Sequence, residues 1–485
     1  MKSLSQPSLF QQKAFINGEW QSADSGKTFD VVNPYDGSLL AKVADLGAEE
    51  TNKAIDAAQT AFLSWKKTTA GHRAKVLRKW YDLQIEHADD LARILTLEQG
   101  KPLAEAKGEI LYGASFVEWF AEEARRTYGD VIPGHGADKR IVVIKQPIGV
   151  TAAITPWNFP NAMITRKVAP ALAAGCTVLI KPAEDTPLSA LALAYLAQEA
   201  GIPAGVLNVL TTKQPKSVGD ALCQSSLVRK LSFTGSTPVG KHLMAQCAQT
   251  VKKMALELGG NAPFIVFKDA DIDLAVDGAI ASKYRNAGQT CVCANRLYAH
   301  ADIYDEFCEK LRLKVAGLKQ GNGLDSDVVI GPLINKAAQD KVSNLVTDAI
   351  EKGAEVSIGG KIAAEGNFYE PTILKNVNLD MEISREEIFG PVAPVFKFTD
   401  EASVIQQANN SPYGLASYFY GRDYAQIWRV AEALEFGMGG INTGMISTTV
   451  APFGGIKESG FGREGSKYGI DDFMELKYLC YGGVE

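Results

Sequence analysis

The sequence predicts an α/β protein built on a largely parallel sheet. Three observations predict it. Short apolar runs recur through residues 141–267 (IVVI, GVTAAI, CTVLI, VLNVL, KLSF, PFIVF). Helical stretches lie between them, at 187–200 and 237–248. The runs are apolar throughout instead of alternating with polar residues, as expected of strands covered on both faces and joined by βαβ crossovers.

The elements can be justified in chain order. FINGEW, residues 15–20, centres on Asn17-Gly18, a two-residue hairpin signal. Ala54, Ile55, Ala58, Ala61, Phe62 and Trp65 recur at three- and four-residue steps, the stripe of an amphipathic helix. Helical patterning returns from residue 88 to about 128 and is interrupted at Gly100-Lys101-Pro102. After the apolar runs, a second α/β set starts at Asp271, strand-like at 296–300 and helical at 304–318. The final LKYLCYG reads as an isolated strand that a partner sheet could complete.

A chain of 485 residues implies two or three domains. With 50 Lys and Arg against 56 Asp and Glu, the net charge is −6, and no basic stripe remains for a nucleic acid. Seven cysteines without framework spacing argue against a disulfide-stapled secreted protein. The first residues lack the apolar core of a signal peptide. The longest apolar run, 168–180, is interrupted by Pro170 and Gly175 and is too short to span a bilayer. The expectation is a cytoplasmic protein with no membrane segment.

In doubly wound sheets ligands bind beyond the carboxyl ends of the strands, so the residues just after each apolar run are the first to inspect. They are the loop 157–160 (WNFP), 181–184 (KPAE), 234–236 (TGS) and 257–260 (ELGG). The stretch from Gly235 through Gly240 to Lys241 imitates a P-loop, but His242 stands where a magnesium-binding Ser or Thr belongs, and Pro238 removes an amide. What survives is either a structural glycine turn or a helix N-terminus facing a pyrophosphate. In GQTCVC, residues 288–293, zinc is unsuitable: CxC supplies two ligands, no second pair lies nearby, and no HExxH occurs. Buried cysteines are usually inert. Glu257, however, ends an apolar strand where a carboxylate has no packing role, and a thiol with a carboxylate supports covalent two-step chemistry. Asn158 is either part of an aromatic-plugged loop or an amide donor for an oxyanion.

PWNFP, KPAEDTP, FTGST, MALELGGNAP, GQTCVCANR and EEIFGPV, in this order, resemble the aldehyde dehydrogenase superfamily. The resemblance spans nearly the whole chain, from FINGEW to PFGGIKESGFGREGSKYGI. Within the family, ITRK, KYRNAGQTCVCANR and KYGIDDFMELKYLCYGG are similar to the succinate-semialdehyde dehydrogenase branch, with glutarate-semialdehyde dehydrogenases as close relatives. The resemblance implies that Cys291 is the nucleophile, that Asn158 holds the oxyanion and that Glu257 activates the hydrolytic water. A CoA-acylating relative would not need that water, so Glu257 favours oxidation of an aldehyde to an acid.

For the cofactor, the resemblance implies Gly235 and Ser236 beside a pyrophosphate and Lys181 and Glu184 on the adenosine ribose. Trp157 and Leu258 would line the path, Glu387 would bind the nicotinamide ribose, and Phe389 would pack near it. A carboxylate at Glu184 suits a ribose diol, so NAD is expected ahead of NADP. Arg166, Arg285 and Ser447 resemble the carboxylate-binding set of succinate-semialdehyde dehydrogenases, which makes a small semialdehyde the expected substrate. Cys293 would be a possible disulfide partner of Cys291 under oxidation. The implied architecture is an NAD(P)-binding Rossmann-like domain (1–124 and 146–258), a catalytic α/β domain (259–467) and a small β oligomerisation extension (125–145 and 468–485). That extension implies a homodimer or homotetramer. No metal is expected.

Overall fold

The computed structural model describes residues 4–484. Its first sheet has eight strands, ordered Glu19–Gln21, Ala14–Ile16, Leu207–Val209, Thr177–Lys181, Val150–Ile154, Val228–Thr234, Lys253–Glu257 and Gly460–Phe461. The five from Leu207–Val209 to Lys253–Glu257 are mutually parallel, and the outer strands join antiparallel. Chain order reverses between Val150–Ile154 and Val228–Thr234, which opens a crevice at their carboxyl ends. The second sheet has seven strands, ordered Glu355–Ile358, Thr372–Lys375, Val392–Phe398, Ala294–His300, Ala262–Val266, Ala416–Tyr420 and Met438–Ile441. All its pairings are parallel except the first. This is the expected α/β fold.

Several elements depart from the sequence expectation. The run PFIVF forms Ala262–Val266 in the second sheet, so the chain crosses between sheets at Leu258–Asn261. Near the C-terminus, Gly460–Phe461 returns to the edge of the first sheet. The final strand, Met474–Tyr481, is not isolated: it pairs along its length with Arg140–Pro147, which pairs in turn with Asp130–Pro133. IVVI therefore belongs to this three-stranded antiparallel sheet, outside the parallel set. The helix Ala70–Glu86 was not anticipated; Thr69 caps it by accepting from the His72 N–H at 3.2 Å, and Leu77 and Trp80 bury its inner face.

The remaining local signals follow simple rules. Asn17 and Gly18 take φ of 53° and 80°, the left-handed pair of a type I′ hairpin. Helix Ala162–Ala174 follows the PWNFP loop, is buried at every position, and stops at Gly175 with φ 100°. Buried side chains form one cluster around the second sheet and two on opposite sides of the first. No described helix is long and apolar enough to cross a membrane.

The arrangement of the sheets positions the site. The carboxyl edge of the first sheet faces the amino edge of the second. Loops leaving strands at Trp157 and Gly235 therefore meet loops entering strands at Gly260, Cys291 and Phe389.

Candidate active site

A cavity of about 350 Å³ lies in this gap. From the first sheet it receives Trp157 and Asn158, the turn at Gly235 and Ser236, and Leu258. From the second it receives Cys291, Glu387 and Phe389. The Trp157 and Phe389 rings meet edge to face across the gap, with centroids 5.5 Å apart. Arg166, Arg285 and Ser447 reach the same cavity from three separate segments.

Four of the expected residues are not in the cavity wall. Glu257 is 2% exposed and set behind it, and both carboxylate oxygens lack a hydrogen-bond partner. Lys181 and Glu184 lie beyond it at the end of the neighbouring strand, paired at 3.2 Å. Cys293 turns into the protein, its thiol donating to the Lys283 carbonyl at 3.3 Å.

The nucleophile candidate sits in a tight turn. Asn286 and Ala287 take φ of 52° and 53°, and Gly288 follows at 76°. A Cβ on Gly260 would lie 2.4 Å from the Cys291 carbonyl oxygen, so glycine there allows the two neighbouring loops that enter the second sheet to approach. Burial pushes the Cys291 thiol up to about 12, with Arg166 opposing. Burial also pushes Glu257 up to about 8, with the Glu464 carboxylate adding to it and Arg166 and Lys167 pulling down.

Asn158 is held at both ends. Its side-chain amide donates one N–H to the Gln289 carbonyl at 3.0 Å. The second N–H of the amide is then available to an oxygen in the cavity. Its backbone carbonyl accepts from Lys101 Nζ at 2.7 Å and from the Asn286 amide at 3.1 Å.

The two arginines differ. Arg166 and Lys167 both ion-pair with Glu464. Burial opposes ionisation of Glu464, but the two cations outweigh it and hold the carboxyl down to about 2. Arg166 also lies over the Phe453 ring at 4.1 Å and donates to the Met163 sulfur at 3.1 Å. Arg285 has no ion pair or hydrogen bond among the described residues; its guanidinium stands 5.4 Å from the Phe159 ring centroid, and its charge acts on the buried Glu105 carboxyl.

At the other end, Glu387 accepts the Gly260 N–H at 2.9 Å, and burial pushes its carboxyl up to about 7. Burial works against the charge of Glu184 too, but Lys181 prevails and holds it below the usual range. The Ser236 hydroxyl makes no cap bond at the start of helix Thr237–Cys247, and Gly235 has no room for a Cβ beside the Phe233 ring. A glycine turn, open amides at a helix start, one carboxylate in the cavity and a second beyond it at the end of the neighbouring strand suit a dinucleotide.

Sequence reading missed Tyr112, Met163 and Phe453, which shape the cavity, and the Lys101–Glu109 pair behind Asn158. It also missed Glu464 and Lys167, although both lie within the segments GFGREG and ITRK that carried the resemblance. No periodicity marks any of them.

Comparison with known proteins places this arrangement among relatives. Residues 20–479 match the profile described as "Aldehyde dehydrogenase family". The chain is 62% identical to the succinate-semialdehyde dehydrogenase (NADP(+)) GabD of Escherichia coli (strain K12), covering 99% of each. It is 61% identical to a glutarate-semialdehyde dehydrogenase of Pseudomonas aeruginosa, covering 98% of this chain and 99% of that one. The crystal structure of succinate-semialdehyde dehydrogenase from Burkholderia pseudomallei superposes with a TM-score of 0.98 at 59% identity, covering 99% of this chain and 100% of that one.

Proposed function

The chain belongs to the aldehyde dehydrogenase family as an NAD(P)-dependent enzyme, and we propose that its substrate is a short aldehyde with a carboxylate at the far end. Succinate semialdehyde comes first and glutarate semialdehyde is the near alternative; the product is the dicarboxylate. One observation carries this reading: Arg285 faces the cavity with no anionic partner among the described residues, in a chamber of aromatic and aliphatic walls. A half-buried guanidinium that lines the cavity with no carboxylate within ion-pair distance offers a ligand anion bidentate, charge-assisted hydrogen bonds. Arg166 and the Ser447 hydroxyl supply the other contacts.

In the proposed mechanism the Cys291 thiol releases its proton to solvent, and the sulfur attacks the aldehyde carbon. A C–S bond forms and the carbonyl π pair moves to oxygen. The free N–H of the Asn158 side chain and the Cys291 backbone N–H hold that oxyanion, each donor typically worth about 10²–10³ in rate. NAD or NADP, held by the residues described below, would supply the acceptor for the hydride that leaves this carbon. A thioester remains on Cys291. Glu257 then takes a proton from water; the water oxygen bonds to the acyl carbon, the C–S bond breaks, and the acid leaves.

The residues present fit the dinucleotide. Gly235 and Ser236 would take the pyrophosphate, Trp157 and Leu258 the path beside it, and Glu387 with Phe389 the nicotinamide ribose. Lys181 and Glu184 would hold the adenosine ribose. Glu184 accepts from a diol and repels a 2′-phosphate, which supports NAD ahead of NADP. We further assign assembly into a homodimer or homotetramer to the three-stranded extension, where Val131 is 83% and Leu476 69% exposed. Sedimentation equilibrium checks that assignment.

The test is kcat/KM for succinate semialdehyde, glutarate semialdehyde and butanal, each with NAD and with NADP. A preference of at least tenfold for either carboxylated aldehyde over butanal is expected, and the better of the two names the substrate. Equal or faster turnover of butanal would sink the carboxylate pocket and leave the family assignment standing.

A further inference from the structure

Lys101 and Glu109 form an ion pair at 2.5 Å with side chains 0% and 1% exposed, directly behind Asn158. Burial pushes the Lys101 ammonium down against the pull of Glu109. Two charges taken from water are expensive, and an apolar pair of similar volume usually stabilises a fold as well or better. Packing therefore gives no reason for this pair.

Its hydrogen bonds give one. Beside Glu109, Lys101 Nζ donates to the Asn158 carbonyl at 2.7 Å, and the ammonium stands 3.8 Å from the Phe159 ring centroid. The second oxygen of Glu109 accepts the backbone N–H groups of Asn161 and Ala162 at 2.9 and 3.2 Å, anchoring the first turn of the helix that carries Arg166. The Asn158 carbonyl takes a second bond from the Asn286 amide, whose own backbone N–H is held by Glu105 at 2.9 Å. The Asn158 side chain reaches the Gln289 carbonyl, and Gln289 is fixed through Ile334 N–H to its Oε1 at 2.9 Å. The loop from the first sheet and the strained turn before Cys291 are thus tied together at Asn158.

We propose that Lys101, locked by Glu109, is a positioning residue: it holds the Asn158 peptide so that the free amide N–H points at the oxygen attached to the carbon under attack. This rests on the assignment of Asn158 as the oxyanion donor. Lys101 touches neither substrate nor cofactor. It acts on the rate because an error of about 1 Å in a donor can cost on the order of 10²-fold.

The experiment is a double-mutant cycle between Lys101→Met and Asn158→Ala, read as kcat and KM for the best aldehyde with thermal unfolding alongside. Lys101→Met is expected to lower kcat by about 10- to 100-fold with KM changed less than about threefold. Lys101→Arg should recover part of the loss. In the Asn158→Ala background Lys101→Met should cost almost nothing more, since no donor remains to be misplaced. A purely structural role predicts the same loss in both backgrounds, and that result overturns the proposal. Full kcat in folded Lys101→Met overturns it as well. Full kcat in Asn158→Ala refutes the oxyanion assignment itself and takes this inference with it. If Lys101→Met does not fold, Lys101→Met with Glu109→Gln leaves no unpaired charge and keeps the acceptor for Asn161; the same cycle is then read on that variant.

Discussion

Arg166 is ion-paired to Glu464, whereas Arg285, lining the same cavity, has no anionic partner among the described residues. The first guanidinium is part of a buried three-residue cluster with Lys167; the second is the one assigned above to the substrate carboxylate.

Substituting the two arginines should therefore give different results. Arg285→Met should lower kcat/KM for the carboxylated aldehyde by about 10- to 100-fold, the worth of a charge-assisted contact, and leave butanal turnover and thermal stability nearly unchanged. Arg166→Met should lower the same ratio and also the unfolding temperature, because removing one partner of a buried ion pair costs about 3–5 kcal/mol. Steady-state kinetics with calorimetry separates the two.

As the proposed base, Glu257 should make turnover depend on pH. Its carboxyl is raised from 4.5 to about 8, and a base must be ionised to work, so kcat should rise from pH 6 to 9 with a midpoint near 8. Glu257→Gln should abolish that limb and accumulate the acyl-enzyme, seen as a burst of reduced nicotinamide followed by slow turnover. The same shift acts on stability. A folded pKa above the unfolded one stabilises the protein fully below about 4.5 and loses that contribution as pH rises through about 8. Glu257→Gln should accordingly unfold at a higher temperature than the parent at pH 9, with a smaller difference at pH 5.

Cofactor choice should turn on one carboxylate. Glu184→Ser removes the group that would repel a 2′-phosphate and leaves Lys181, now unpaired, to attract it. The ratio of kcat/KM for NADP to that for NAD should rise at least tenfold. An unchanged ratio would place cofactor discrimination elsewhere.

The Cys291–Cys293 disulfide requires Cys293 to leave its bond to the Lys283 carbonyl. If it forms, peroxide inactivation of the parent should be reversed by dithiothreitol, while Cys293→Ser should be inactivated irreversibly as Cys291 passes beyond the sulfenic acid. Full recovery of Cys293→Ser would exclude the disulfide as the protective step.

The hairpin at Asn17-Gly18, the parallel strands from Val150–Ile154 to Lys253–Glu257 and the helix Pro187–Glu199 were legible because each is written locally, in turn residues or in apolar period. Helix Ala70–Glu86 was missed because charged and polar residues dilute its stripe; it forms by packing Leu77 and Trp80 against neighbours. The rule of looking just after strands found Asn158, Gly235 and Glu257. It does not reach Cys291 or Glu387, which precede strands; those needed the family resemblance.

The sequence by itself therefore determined the fold class and the inventory of reactive groups, since strand period, turn chemistry and motif order are properties of neighbours in the chain. Tertiary structure decided which groups share a cavity, that Met474–Tyr481 finds its partner at Arg140–Pro147 within the same chain, and that Arg166 is ion-paired to Glu464 while Arg285 has no ion pair among the described residues. Pairing, burial and the pKa of a buried acid depend on contacts between distant segments, and those exist only once the two sheets face each other.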